Sequence, residues 1–175
     1  MKNKALKRIF EFLEEKENHN VPFLWKYINN IPLTKEELIV KGNLNLNGSK
    51  ITSLPEGLEV SGFLSLRDTN ITSLPEDLKV GGMLYLNHSL IKSLPKGLKV
   101  GRDLSLFGCE QITSLPKGLE VGSCLDLRGT NITLLPKGLE VGSYLYIYGT
   151  NLAKYTDDEL REMVKPGFIK GKIHR

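Results

Sequence analysis

The side chains able to do chemistry are few and scattered. Histidine occurs at His19, His88 and His174, and cysteine at Cys109 and Cys124. No histidine stands at a motif spacing from a serine, threonine or cysteine that it could activate as a nucleophile. A reactive thiolate needs a neighbour that lowers its pKa, and no such motif surrounds either cysteine. Asp103 and Asp126 could share acid and base duties or hold a cation, but Arg128 stands two residues from Asp126 as its readier partner. No glycine-rich loop lies between a strand and a helix to cradle phosphate. The chain therefore does not read as an enzyme, and no cofactor or metal is expected.

Charge and composition narrow the classes further. The 175 residues are 40% apolar and 25% charged, the make-up of one globular domain. No apolar run approaches the roughly 18 residues that cross a bilayer. The opening MKNKALKRIFEFLEEKENHN breaks its apolar residues with charge, so no signal peptide is expected. Two cysteines make no disulfide framework. A cytoplasmic setting follows as the expectation. The net charge is +4, and its placement matters more than its size. Residues 31–151 hold 12 basic and 12 acidic side chains; residues 1–30 and 152–175 each hold 6 and 4. A nucleic-acid reader would carry a basic stripe along its length. Here the excess sits at the ends, with Lys165, Lys170, Lys172 and Arg175 in the last eleven residues.

The elements that must position any site come from a repetition. ITSLPEGLEVSGFLSLRDTN (51–70) is followed by ITSLPEDLKVGGMLYLNHSL (71–90), then by 91–111, 112–131 and 132–151. The unit 91–111 has one extra residue near Glu110 or Gln111. A degenerate unit at 31–50 keeps Leu38, Val40, Gly42, Leu44 and Leu46 in phase. A sustained period of this length signals a solenoid of stacked units, none of which can bury its apolar face alone. Within a unit Ile51, Leu54, Leu58, Val60, Leu64 and Leu66 are apolar. The x-Leu-x-Leu-x stretch alternates with period two, the mark of a strand with one buried face. Leu-Pro forces an extended or tightly turned segment. Gly57, Asp77, Gly97, Gly118 and Gly138 share one place, and Gly48, Asp68, His88, Gly108, Gly129 and Gly149 another. Both sets predict left-handed backbone, since Asp and His tolerate positive φ better than most residues.

Leu64, Leu66, Ile71, Leu74 and Pro75 fit L-x-x-L-x-L-x-x-N-x-L-x-x-L-P, and over residues 38–152 the chain resembles a leucine-rich repeat protein. The short unit is similar to the compact repeats of bacterial effectors and bacteriophage-encoded repeat proteins. The resemblance implies an α/β solenoid with about six parallel strands in one sheet. It also implies that Ser49, Thr69, Ser89, Cys109, Thr130 and Thr150, at the family's asparagine position, bond to backbone inside the turn. The family's first leucine is replaced by Ser61, Gly81, Gly101, Gly122 and Gly142.

The ends read as covers for the exposed repeat core. Leu6, Ile9, Phe10 and Leu13 line one face of a helix, and PFLWKYINN suggests a second. Thr156 and Glu159 fit a capping box for the helix TDDELREMV, and FIKGKI follows as an extended segment. The expected organisation is a helical N-terminal cap at 1–30 and a solenoid at 31–151. A C-terminal cap helix and basic tail follow at 152–175.

With leucines inward, their strand neighbours face outward in three columns. These are Asn43, Phe63, Met83, Asp103, Cys124, Tyr144; Asn45, Ser65, Tyr85, Ser105, Asp126, Tyr146; and Asn47, Arg67, Asn87, Phe107, Arg128, Tyr148. The platform is on the order of 25 Å across. It gathers the residue types enriched at interface hot spots: Phe63, Arg67, Met83, Tyr85, Phe107, Asp126, Arg128, Tyr144, Tyr146 and Tyr148. The expected function is non-catalytic binding of a protein partner through this face by a chain that is monomeric when free. The resemblance to phage and effector repeats extends this to inhibition of a host protein such as a defence enzyme. The alternatives are weak, salt-dependent nucleic-acid association through the basic tail, and self-assembly through a solenoid end.

Overall fold

The computed structural model describes Lys26, Tyr27, Asn29 and residues 31–175. The chain forms two compact units, Met1–Glu37 and Leu38–Arg175. In the first, Lys26 Nζ pairs with Glu37 Oε1 at 2.5 Å, and the Thr34 N–H donates to Glu37 Oε2 at 2.9 Å. Burial pushes the Glu37 carboxyl up, but Lys26 and the Thr34 amide outweigh it and hold it below its ordinary value. The expected helical N-terminal cap falls outside the described residues, save that Lys26 and Tyr27 are helical.

The second unit is a stack of parallel two-strand rungs. β1 (Ile39–Val40) and β2 (Leu44–Asn45) form the first, β3 (Glu59–Val60) and β4 (Leu64–Ser65) the second, β5 (Lys79–Val80) and β6 (Leu84–Tyr85) the third. β7 (Lys99–Val100) with β8 (Leu104–Ser105), β9 (Glu120–Val121) with β10 (Leu125–Asp126), and β11 (Glu140–Val141) with β12 (Leu145–Tyr146) continue it. β13 (Phe168–Ile169) and β14 (Ile173–His174) complete the series. The odd-numbered strands form one seven-stranded sheet and the even-numbered strands a second. The register brings each strand level with its equivalent: Leu44, Leu64, Leu84, Leu104, Leu125, Leu145 and Ile173 align across the second sheet.

This differs from the expected single sheet of about six strands. The first sheet was hidden because its strands are two residues long and each turns at most one apolar residue inward, so it shows no periodicity. The seventh rung was hidden because Phe168–Ile169 and Ile173–His174 lack the Leu-x-Leu signature. The architecture is accordingly a β-solenoid with little helix among the described residues. Ile51, Leu54, Leu58, Val60, Leu64 and Leu66 and their equivalents fill the interior between the sheets. Each fully buried leucine or isoleucine contributes about 1.5–3 kcal/mol.

Rung is tied to rung by backbone. In the first sheet the amide of each rung donates backwards: Gly101 N–H to Val80 O at 3.0 Å, Gly122 N–H to Val100 O at 2.9 Å, Gly142 N–H to Val121 O at 2.9 Å. The corner between the sheets is so tight that a Cβ on Gly101, Gly122 or Gly142 would lie 2.0–2.1 Å from the preceding rung's carbonyl oxygen. Glycine fills the column for that reason. At the far turn, Gly48, Asp68, His88, Gly108, Gly129 and Gly149 all adopt positive φ, as the pattern predicts. Gly57, Gly97, Gly118 and Gly138 do so as well, but Asp77 does not. Its carboxylate instead accepts the Gly57 N–H at 2.8 Å, so Asp stands there for its oxygen.

Three hydroxyls of the column close their turns, whereas Ser49 Oγ is buried without a partner among the described residues and Ser89 Oγ meets Cys109 Sγ at 3.6 Å. Thr69 Oγ1 donates to Leu66 O at 2.7 Å, Thr130 Oγ1 to Leu127 O at 2.7 Å and Thr150 Oγ1 to Ile147 O at 2.6 Å. Cys109 Sγ reaches across to Leu86 O, in the preceding rung, at 2.9 Å. The extra residue of the third unit is absorbed in a turn at Glu110–Gln111, where Asn131 Nδ2 donates to Glu110 O at 2.7 Å. The strands on either side keep their register, with Ser105 level with Asp126.

After β12 the chain makes a short 3-10 turn, Asn151–Lys154, and then helix α1, Asp157–Val164. Thr156 and Glu159 form the expected reciprocal capping pair, and Leu160 and Val164 are buried. The Thr156 amide and hydroxyl hold the Glu159 carboxyl below its ordinary value. Val164 O accepts the Gly138 N–H at 2.7 Å, so α1 takes the place of a repeat's Leu-Pro segment before the chain re-enters both sheets.

Gly122→Ala is predicted to cost about 1–3 kcal/mol, because its Cβ meets backbone that cannot move independently. Ser123→Ala, one residue on, changes stability by less than about 0.5 kcal/mol. Urea denaturation midpoints compare them; equal midpoints would refute the steric reading of the column.

Candidate functional site

The register of the second sheet stacks the residues singled out from the sequence in the predicted columns, although Ser65 and Ser105 of the middle column are buried. Alternation along each strand turns one side chain in and the next out, and parallel pairing without slippage stacks the outward ones. The face resolves into two clusters. In the N-terminal one, Phe63 and Tyr85 lie with ring centroids 6.3 Å apart. Tyr85 Oη donates to Met83 Sδ at 2.7 Å, and the Arg67 guanidinium sits 4.4 Å above the Tyr85 ring.

The C-terminal cluster is larger. Arg128 donates through Nε and Nη2 to the two carboxylate oxygens of Asp126, at 2.9 and 2.7 Å. That bonding to Asp126 raises the Arg128 pKa further above its already high ordinary value, so the guanidinium stays charged. The same guanidinium lies 5.2 Å from the Phe107 ring centroid and 5.5 Å from that of Tyr146, bridging three rungs. Tyr144 meets Tyr146 edge-on at 6.4 Å. Tyr148 is 70% exposed, and Tyr144 and Phe107 are exposed too.

Two residues join this face that the sequence reading left aside. His174 stacks on Tyr146, centroids 4.8 Å apart and planes 14° from parallel, and meets Tyr144 edge-on at 5.4 Å. Register explains it: Ile173 is level with Leu145, so His174 occupies the Tyr146 column and Lys172 the Tyr144 column. The extended reading of FIKGKI gave no register for it. His88 packs edge-on against Phe107 at 5.0 Å from its left-handed turn.

The carboxylates considered for catalysis are otherwise engaged. Asp103 Oδ1 accepts the Cys124 N–H at 3.0 Å, and Asp126 is held by Arg128. Among the described residues, no three His, Cys, Asp or Glu side chains converge as a metal site would require. The basic tail does not form one patch. Lys165 pairs with Glu162 at 2.6 Å and Arg175 with Asp157 at 2.6 Å. Lys170 lies over Phe168 beside the first sheet, while Lys172 belongs to the second. Two grooves of the unit, of about 290 and 480 Å³, run over the glycine column on the first sheet, and none of the aromatic-face residues lines them. No described helix is long and apolar enough to cross a membrane.

Comparison of the chain with protein-family models, with characterised proteins and with solved structures gave no match.

The two thiols are predicted to differ. Burial pushes the Cys109 thiol up, more than its bonds to Ser89 and the backbone pull it down. Cys124 is half-exposed on the face. A thiol reagent at neutral pH should therefore modify one cysteine in the folded chain and two after denaturation. Two equally fast thiols in the folded chain would contradict the placement. Because the folded Cys109 pKa is the higher one, its contribution to stability is present below the unfolded value of about 8.5 and is lost as pH rises above it.

Proposed function

We propose that the chain is a leucine-rich-repeat-type protein-binding module without catalytic activity or cofactor, acting through the outward face of its second sheet. The observation that carries this reading is the C-terminal cluster of Arg128, Tyr144, Tyr146, Tyr148 and His174. Arg128, Tyr144, Tyr146 and His174 are held in place by one another, Tyr148 stands 70% exposed on the same face, and Tyr144 is open to solvent as well. Such groups bury large area at low entropic cost when a partner covers them. The Asp126–Arg128 pair supplies directional polar contacts beside them. The similarity of the repeat to those of bacteriophage and bacterial effector proteins directs the proposal towards a host protein that is blocked, such as a defence enzyme, in the cytoplasm. The nucleic-acid reading gains little from a tail in which Lys165 and Arg175 are paired with carboxylates.

The test is affinity capture from host lysate with the wild-type chain beside a Tyr144/Tyr146/Tyr148→Ser variant whose fold is verified by circular dichroism. A protein held by the first should be lost by the second. Purified, it should bind Tyr146→Asp at least about 30-fold more weakly, the loss of a hot spot worth about 2 kcal/mol. Unchanged affinity in a folded Tyr146→Asp chain would dispose of the proposal.

A further inference from the structure

Every rung of the first sheet receives the next one through the same carbonyls. Val141 O accepts the Lys170 N–H at 3.0 Å and Ser143 O accepts the Gly171 N–H at 2.8 Å. One rung earlier, Val121 O accepts from Gly142 and Ser123 O from Ser143, both at 2.9 Å. By register, the equivalent acceptors on the last rung are Ile169 O and Gly171 O. Among the described residues no eighth rung follows to satisfy them, β13 being the outermost strand of its sheet. A side chain does so instead. Arg161, from α1, donates through Nη1 to Ile169 O and through Nη2 to Gly171 O, the latter at 2.8 Å. The two arms of the guanidinium fork stand where two backbone amides of a further rung would stand.

We propose that Arg161 terminates the solenoid by imitating the next rung, and that it thereby shuts a latent assembly surface whose occupant would be a second copy of this chain. An unpaired parallel edge is a template for another strand. The best-matched strand is one from the same repeat, because the rungs already pair with each other in this geometry. Head-to-tail stacking of identical solenoids is a heterologous contact, which gives a ring if its rotation closes and a filament if it does not. One rung contributes to both sheets, so occupying these two acceptors denies an incoming rung much of its ladder in the first sheet. Arg suits the task better than Lys, because its planar fork reaches two acceptors at once.

The experiment compares full-length wild type with Arg161→Met, which keeps much of the aliphatic stem and loses the donors. Mass is followed by light scattering over a concentration series, with circular dichroism as the fold control. Expected is a wild-type mass independent of concentration and an Arg161→Met mass that climbs with it. Arg161→Lys should fall between them. A folded Arg161→Met chain whose mass matches wild type at every concentration overturns the proposal. So does a loss of stability with no change in mass, the result if Arg161 only anchors α1. If Arg161→Met fails to fold, Arg161→Lys and Arg161→Gln carry the comparison. Failure of all three to fold also overturns the proposal, because a group that only closes the edge leaves the upstream rungs able to form.

Discussion

The close approach of one backbone to the next is the constraint on which this molecule depends. A two-residue strand has almost no cooperativity of its own. It persists because the rung before and the rung after both hydrogen bond to it, at 2.8–3.1 Å, at nearly every turn of the stack. Bringing rungs that close at the sheet corner leaves no room for Cβ at Gly101, Gly122 and Gly142. The corner in turn fixes the phase of each strand, and phase decides which side chains line up on the face. Leucine burial drives association, but the backbone ladder sets the register that makes the columns meaningful.

How much of this was legible in the sequence depends on whether a feature repeats. Leu64, Leu66, Ile71 and Leu74 recur at a fixed interval, so the solenoid, the inward leucines and the three outward columns could all be read from them. Thr69 and Thr130 were expected to close turns through backbone, and their hydroxyls do so. Features that occur once were not legible. His174 reaches the face only because β14 pairs with β12, and the extended reading of FIKGKI did not disclose that pairing. Asp77 looked like a left-handed residue by its position. A carboxylate beside a free amide had a second way to satisfy the turn, and it took that one. Glycines in the corner looked like lost leucines until the carbonyl of the neighbouring rung was seen to fill the space.

The chain ends on a different logic from its repeats. Within the stack, each unit is satisfied by copies of itself, and that self-similarity is a hazard wherever it stops. α1 replaces one Leu-Pro segment, its Val164 carbonyl taking the Gly138 amide, and its Arg161 covers two of the carbonyls that a further copy would use. The sequence TDDELREMV disclosed the helix and its cap. The task of Arg161 lies in which oxygens it meets, and that depends on the pairing of β13, which the sequence marked as extended but did not place in a sheet.

The face itself is divided by what its side chains already do. At the N-terminal end Asn43 Oδ1 accepts the Phe63 N–H, and Asn47 Oδ1 accepts both the Arg67 N–H and the Ser65 hydroxyl. Those side chains serve the ladder, and a partner could engage them only by breaking bonds that hold the rungs. At the other end the hydroxyls of Tyr144, Tyr146 and Tyr148 make no hydrogen bond among the described residues, while their rings are fixed by stacking or left open to solvent. Cross-strand packing alone would account for Tyr146, lodged between Arg128 and His174. It does not account for Tyr148, 70% exposed on a rung whose interior needs nothing from it. A large ring held in water at the edge of an ordered aromatic cluster contributes nothing to the stack, and that imbalance is what places the binding reading at the C-terminal rungs.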